Sequence, residues 1–167
     1  MPTIDPPAPT FVRYMEKSRN YYLAQGDPTP YHWAHFDEVP FAALPKALNE
    51  CRIGLVTTTF LHPPPEDRPQ LNWKRSYAAP WDPSLPTLFT DDLSWDKKAT
   101  HTEDRESYLP LQILEDLVCA ERIASVAPRF YGVPTEYSQR RTKERDAPQI
   151  VEWCQEDGLD AVLLVPL

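Results

Sequence analysis

Glycine is scarce in this chain: four residues in 167, against 20 prolines. Ordinary proteins carry about 7% glycine and about 5% proline, so the usual balance is inverted and the backbone is stiff. Such a chain has no glycine-rich loop to wrap a phosphate, and neither a GxSxG elbow nor an HExxH pair occurs in it. Cysteine is also sparse. Cys51, Cys119 and Cys154 form neither an even set nor a CxxC pair, and no basic-then-apolar leader opens the sequence. Together these point to a reduced, cytoplasmic protein. Positive charge is in deficit, with 17 basic against 25 acidic side chains and a formal net charge of −8, which argues against general nucleic-acid binding. Apolar runs reach only about six residues where a bilayer span needs roughly 20, which argues against a membrane protein.

What is present is a 41% apolar, 11% aromatic composition, enough for one domain with a core. Residues 1–40 hold seven prolines and several aromatic clusters, Phe11 to Tyr14, Tyr21-Tyr22 and Tyr31 to Trp33. This reads as an extended arm with one short helix near residues 10–24. From 41 to 167 the pattern alternates. Phe41, Leu44, Ala47, Leu48 and Cys51 share a helical stripe, and Ile53 to Thr59 reads as a strand buried on both faces. A helix over 110–121 starts at Pro110, and a short strand over 123–127 is closed by Pro128. A helix over 146–157 stops at Gly158 and leads into a buried apolar strand over 159–165. The order predicts an α/β domain, a mainly parallel sheet with flanking helices in the manner of a Rossmann-like half. The 60–109 stretch is too long for an inert connection, so it is a candidate site or conceals short strands.

In parallel sheets ligands collect at the carboxyl ends of strands. That directs attention to Thr58 and Thr59 and to the polar run Arg129 to Arg141. Arg129, Arg140 and Arg141 suit a substrate carboxylate, with Tyr131 and Glu136 for orientation. A solvated loop whose arginines pair with some of the many acids explains the same run. Asp91, Asp92, Asp96, His101, Glu103 and Asp104 form a second cluster, in which Asp96 and His101 could exchange protons. An acidic surface loop is the plainer account of it. His32, His35 and Asp37 have metal-like spacing, though a histidine pair on an aromatic arm is more often packing or chance. Cys51 and Cys154 lie on apolar stripes as core residues, whereas Cys119 sits among acidic neighbours that disfavour a thiolate.

Three segments in order carry a resemblance: Gly54 to Thr59, Ser125 to Gly132 with its Ala-Pro-Arg-Phe, and Asp157 to Pro166 with its Asp-Gly-x-Asp-Ala-x-Leu-Leu-Val-Pro. Over roughly residues 50–167 the chain resembles the selenoprotein B family of glycine, sarcosine and betaine reductases, with subunits similar to those of D-proline reductase. The resemblance implies an oxidoreductase that cleaves a C–N bond reductively, using a selenocysteine or cysteine in a U/C-x-x-C motif and electrons from dithiols. In relatives that motif follows the strand matching Asp160 to Pro166. Here the sequence stops at Leu167, and no cysteine takes that position. A partner subunit would then supply the thiol or selenol, the chain would use its own loops for binding or other chemistry, or an unread selenocysteine codon would follow. The expected ligand is a small amino-acid-like anion, with no cofactor and no metal. A homodimer and a monomer stand equally. Two other readings compete: a non-catalytic binding or scaffolding domain, and a metal-assisted lyase or hydrolase built on His32, His35, His101 and Asp91.

Overall fold

Five consecutive buried residues, Ile53 to Thr57, make β1 (Arg52–Thr57) the spine of the 41–167 unit. The run is apolar until its last member, and it has strands on both sides. β3 (Ser125–Val126), β4 (Arg129–Gly132) and β5 (Ala161–Val165) all pair with β1 in parallel. Ile53 is matched to Val126 and Ala161, and Val56 to Tyr131 and Leu164, so β3 and β4 share one flank of β1 while β5 occupies the other. β2 (Tyr77–Pro80) adds to the far side of β4, antiparallel. The computed structural model describes residues 13–27, 34–39, 42–63, 74–91, 101–133, 135 and 138–167.

Alternation along the strands divides the core into two layers. Ile53, Leu55, Ala79 and Phe130 pack beneath α2 (Leu111–Cys119), through Leu111 and Leu114. Val56 and Tyr131 face the opposite way and meet Ile150 and Trp153 of α3 (Ala147–Glu156). Each fully buried aliphatic side chain contributes about 1.5–3 kcal/mol, so both helices are held by their apolar stripes. The 60–109 stretch conceals β2, a Phe60–Phe89 bridge and a 3-10 turn at Arg105–Ser107. At Gly132 the Tyr77 ring lies where a Cβ would project, so only glycine fits. Gly158 ends α3 with φ +63, as a left-handed stop should.

Three expectations need correction. The helix over 41–51 is reduced, among its described residues, to a 3-10 turn, Leu48–Glu50. Pro45 is the cause: it lacks an amide donor and drives the preceding residue out of the helical region. Pro128 closes the second strand, as expected, but the loop expected after it is a further strand. Ala127 N donates to Ile53 O at 2.9 Å and Val133 N to Thr57 O at 2.9 Å, so the chain resumes alongside β1 and Arg129 to Gly132 is strand rather than loop. β5 is not buried throughout, since Leu163 and Leu164 are 41% and 68% exposed. Among the described residues it pairs only with β1 and is an edge strand.

Residues 1–40 form a compact unit of their own. It contains α1 (Tyr14–Ala24), where a short helix was expected, and none of the α1 residues is buried.

Candidate functional site

The loops after β1, β4 and β5 meet at the carboxyl end of the sheet, and threonine supplies most of their polar contacts. Leu167 N donates to Thr58 Oγ1 at 2.9 Å, and Thr135 Oγ1 donates to Thr58 O at 3.2 Å. Thr57 and Thr59, both buried, pair through their hydroxyls at 3.1 Å. Tyr77 donates its hydroxyl to Thr59 O at 2.7 Å, and burial raises its pKa well above the ordinary phenol value. Lys74 Nζ donates to Thr135 O at 3.2 Å, which brings a positive charge to this end.

Two cavities with polar side chains in their linings lie near this end of the sheet. One of about 480 Å³ lies beyond β1 and is lined by Leu61, Thr90, Asp91, Thr102 and Glu103, with the Thr90 and Thr102 hydroxyls 2.8 Å apart. It brings together Asp91 and Glu103 of the acidic cluster. His101 is exposed beside it, and Asp92 and Asp96 lie outside the described residues. The other, of about 310 Å³, surrounds Asp146, Arg145, Arg75, Ser76, Gln149 and Trp153. A third cavity of about 430 Å³, between α3 and β5, is almost wholly apolar and includes Cys154, whose pKa burial raises.

Arg129 does not join Thr58 in one crevice. Its Nε donates to Asp157 Oδ2 and its Nη2 to Glu156 Oε2, each at 2.7 Å. Both acids lie at the end of α3, where the chain turns to enter β5 at the opposite end of the sheet. There Asp160 N donates to Arg52 O and the Asp160 carboxylate accepts from Arg52 N. Tyr131 also donates to Asp157 and stacks on Trp153, with centroids 6.1 Å apart. Burial opposes the Asp157 charge, but Arg129 and the Tyr131 hydroxyl outweigh it and hold the carboxyl below its ordinary range. Hydrogen bonding to Asp157 and Glu156 raises Arg129 in turn, and burial raises Tyr131. These side chains form a clasp of paired arginine and acids, set on a strand and a helix end rather than on the solvated loop that was the alternative.

The other predicted residues scatter. Arg140 pairs with Glu144 at 2.9 Å on the exposed surface, Arg141 is half-buried with its amide donating to Ser138 Oγ at 3.3 Å, and Glu136 lies outside the described residues. His35 pairs with Asp37 at 3.2 Å, fully in solvent, and His32 lies outside the described residues. Among the described residues no three His, Cys, Asp or Glu side chains are grouped to hold a metal, and no helix is long and apolar enough to cross a membrane. Cys51 is buried, with its Sγ 3.3 Å from Ala47 O, and Cys119 is exposed on α2. Sequence reasoning missed Asp146, reading it only as the start of a helix. Its one local signal is an acid wedged between Arg145 and Ala-Pro, which says nothing about burial. No family model, curated protein or solved structure matches the chain.

Proposed function

We propose that this chain is a cytoplasmic reductase-type subunit of the selenoprotein B kind, on a Rossmann-like half-fold. In this reading it holds a small amino-acid-like anion at the carboxyl end of its sheet for a thiol or selenol brought by a partner subunit. The observation that carries it is the tie between Leu167 N and Thr58 Oγ1. In the family it resembles, the nucleophilic motif follows directly after the strand matching Asp160 to Pro166. A nucleophile delivered beside Leu167 would therefore arrive at the Thr57 to Thr59 hydroxyls, with Thr135 and Lys74 adjacent. Lys74 gives the substrate carboxylate its cation, and the threonines give hydrogen bonds. Arg129 has no place at this end of the sheet, since its guanidinium is committed to two acids.

Thermal-shift and calorimetric titration with glycine, sarcosine, betaine and D-proline test it. At least one of these is expected to bind, and Thr58→Val and Lys74→Gln are each expected to weaken binding about tenfold, the worth of about 1.4 kcal/mol. Absence of binding by all four, or binding indifferent to both substitutions, would sink the reading. The positions of the three thiols favour a second one, a binding domain with no chemistry of its own. Cys51 is buried, Cys119 lies on α2 and Cys154 lines the apolar cavity. Amine release from a bound substrate, with a dithiol and a selenol supplied, separates the two.

A further inference from the structure

The sheet has two outer edges, and they are finished differently. β2 follows Lys74 and Arg75 and ends in Pro80, residue types that blunt an edge against further pairing. β5 has no proline and no charged side chain from Ala161 to Val165, and among the described residues it pairs only with β1. Its main-chain groups alternate in direction. Asp160 N donates to Arg52 O, so Val162 and Leu164 turn their amides and carbonyls toward β1, and Ala161, Leu163 and Val165 turn theirs outward.

The side chains beside this edge are bare as well. α3 sits over β1 and β4, with Ile150 and Trp153 packed on Val56 and Tyr131. The apolar cavity of about 430 Å³ is the space left between α3 and β5, lined there by Val151, Cys154, Val162 and Leu164. Val151 and Leu164 are each more than half exposed, and Leu163 is exposed on the opposite face of the strand. Apolar surface thus flanks the open edge on both faces, as it does where proteins meet a partner.

Charge and symmetry then select the occupant. Asp160, just before the strand, is already held by Lys46 and the Arg52 amide. The strand itself offers no charged side chain to an incoming chain, so its complement is another extended, uncharged strand. β5 is such a strand. We infer that two copies of this chain join through β5, antiparallel about a two-fold axis at Leu163, so that their sheets run on as one. In that register Leu163 faces Leu163 of the second copy, Ala161 faces Val165 and Val162 faces Leu164, so every cross-strand pair is apolar. The outward groups of Ala161, Leu163 and Val165 fall on the hydrogen-bonded pairs, which satisfies each of them. The axis is perpendicular to the sheet, so both α3 helices stand on one face and each Leu164 is covered by the other copy. Pairing uses up the open edge of both copies, and assembly stops at two. It involves none of the threonines at the sheet end, so it stands or falls apart from the function proposed above.

Sedimentation equilibrium of the full chain at about 1–100 µM tests the inference, a span that resolves micromolar association. A monomer–dimer equilibrium is expected, tighter at high salt than at low, because copies of net charge −8 repel and the seam contains no ion pair. Leu164→Glu, at an exposed position where folding is not at stake, is expected to weaken dimerisation at least tenfold by setting an acid in each half of the seam. Leu163→Pro removes an outward donor and leaves the bonds to β1, as an edge strand tolerates, and is expected to weaken it as much. Circular dichroism checks that each variant is folded. A chain that stays monomeric throughout would overturn the assignment. So would dimerisation unchanged in the folded variants, association that salt weakens, or assemblies that grow past two copies.

Discussion

The two ends of the sheet handle polar groups in opposite ways. At the amino end, Arg52, Arg129, Tyr131, Asp157 and Asp160 meet one another's donors and acceptors, and Lys46 adds a 2.8 Å pair to Asp160. At the carboxyl end, hydroxyls and cations stand near cavities, and among the described residues a buried carboxylate oxygen has no donor. Satisfied polar groups hold a fold in register, whereas unsatisfied ones beside open space are where a ligand gains most. The same residue type can therefore have contrary roles a few residues apart. Arg129 is committed to two acids, and Arg75 lines an open cavity.

If that contrast is right, damage to the amino end lowers stability and leaves binding intact. Arg129→Ala is expected to have the largest effect, about 3 kcal/mol in urea unfolding, because it strands the mostly buried Asp157 carboxylate; the exposed Glu156 stays hydrated, which keeps the figure at the low end for broken buried pairs. Gly132→Ala follows at about 2 kcal/mol, since the new methyl group must displace the Tyr77 ring. Thr58→Val, at the other end, is expected to lower stability by only about 1 kcal/mol while impairing ligand binding. Arg140→Ala is expected to fall within about 0.5 kcal/mol, as an exposed pair at four-residue spacing should. Ligand titration of Arg129→Ala is the sharpest check, because weakened binding there would erase the contrast.

Acid provides a further test. The folded Asp157 and Asp160 carboxyls both titrate below their ordinary range, Asp157 against the opposition of burial and Asp160 chiefly through its hydrogen bond from Lys46. A depressed folded pKa means the stabilisation is complete above the unfolded carboxylate's value, about 4, and is lost as pH falls through the lower folded value. Urea midpoints are expected to drop below about pH 4. Asp157→Asn should start lower and show a shallower acid decline.

Much of the fold was legible because periodicity is local. The unbroken apolar run of β1, the stripe of α2 and the sequence of α3, Gly158 and β5 all declare themselves within a dozen residues. The failures arise from proline and from distance. Pro45 interrupts a stripe that otherwise looks helical, and Pro128 ends one strand without announcing that the next, Arg129 to Gly132, starts at once. Thr58 and Thr59 were found at a strand end because topology sends ligands there. Asp146 was not, because its burial depends on Ser76, 70 residues away, and no neighbour in the chain announces that contact.

Ala161 to Leu167 contains no charged side chain, and among the described residues its strand has an unpaired row of amide and carbonyl groups at the sheet's rim. Natural sheets usually guard such a rim with lysine, proline or a bulge, and here proline arrives only after the strand, at Pro166. Colloidal behaviour, rather than melting temperature, will therefore set how concentrated a preparation can be made. A lysine in place of Leu164, already at the surface, is the simplest way to keep chains from adding to one another's sheets.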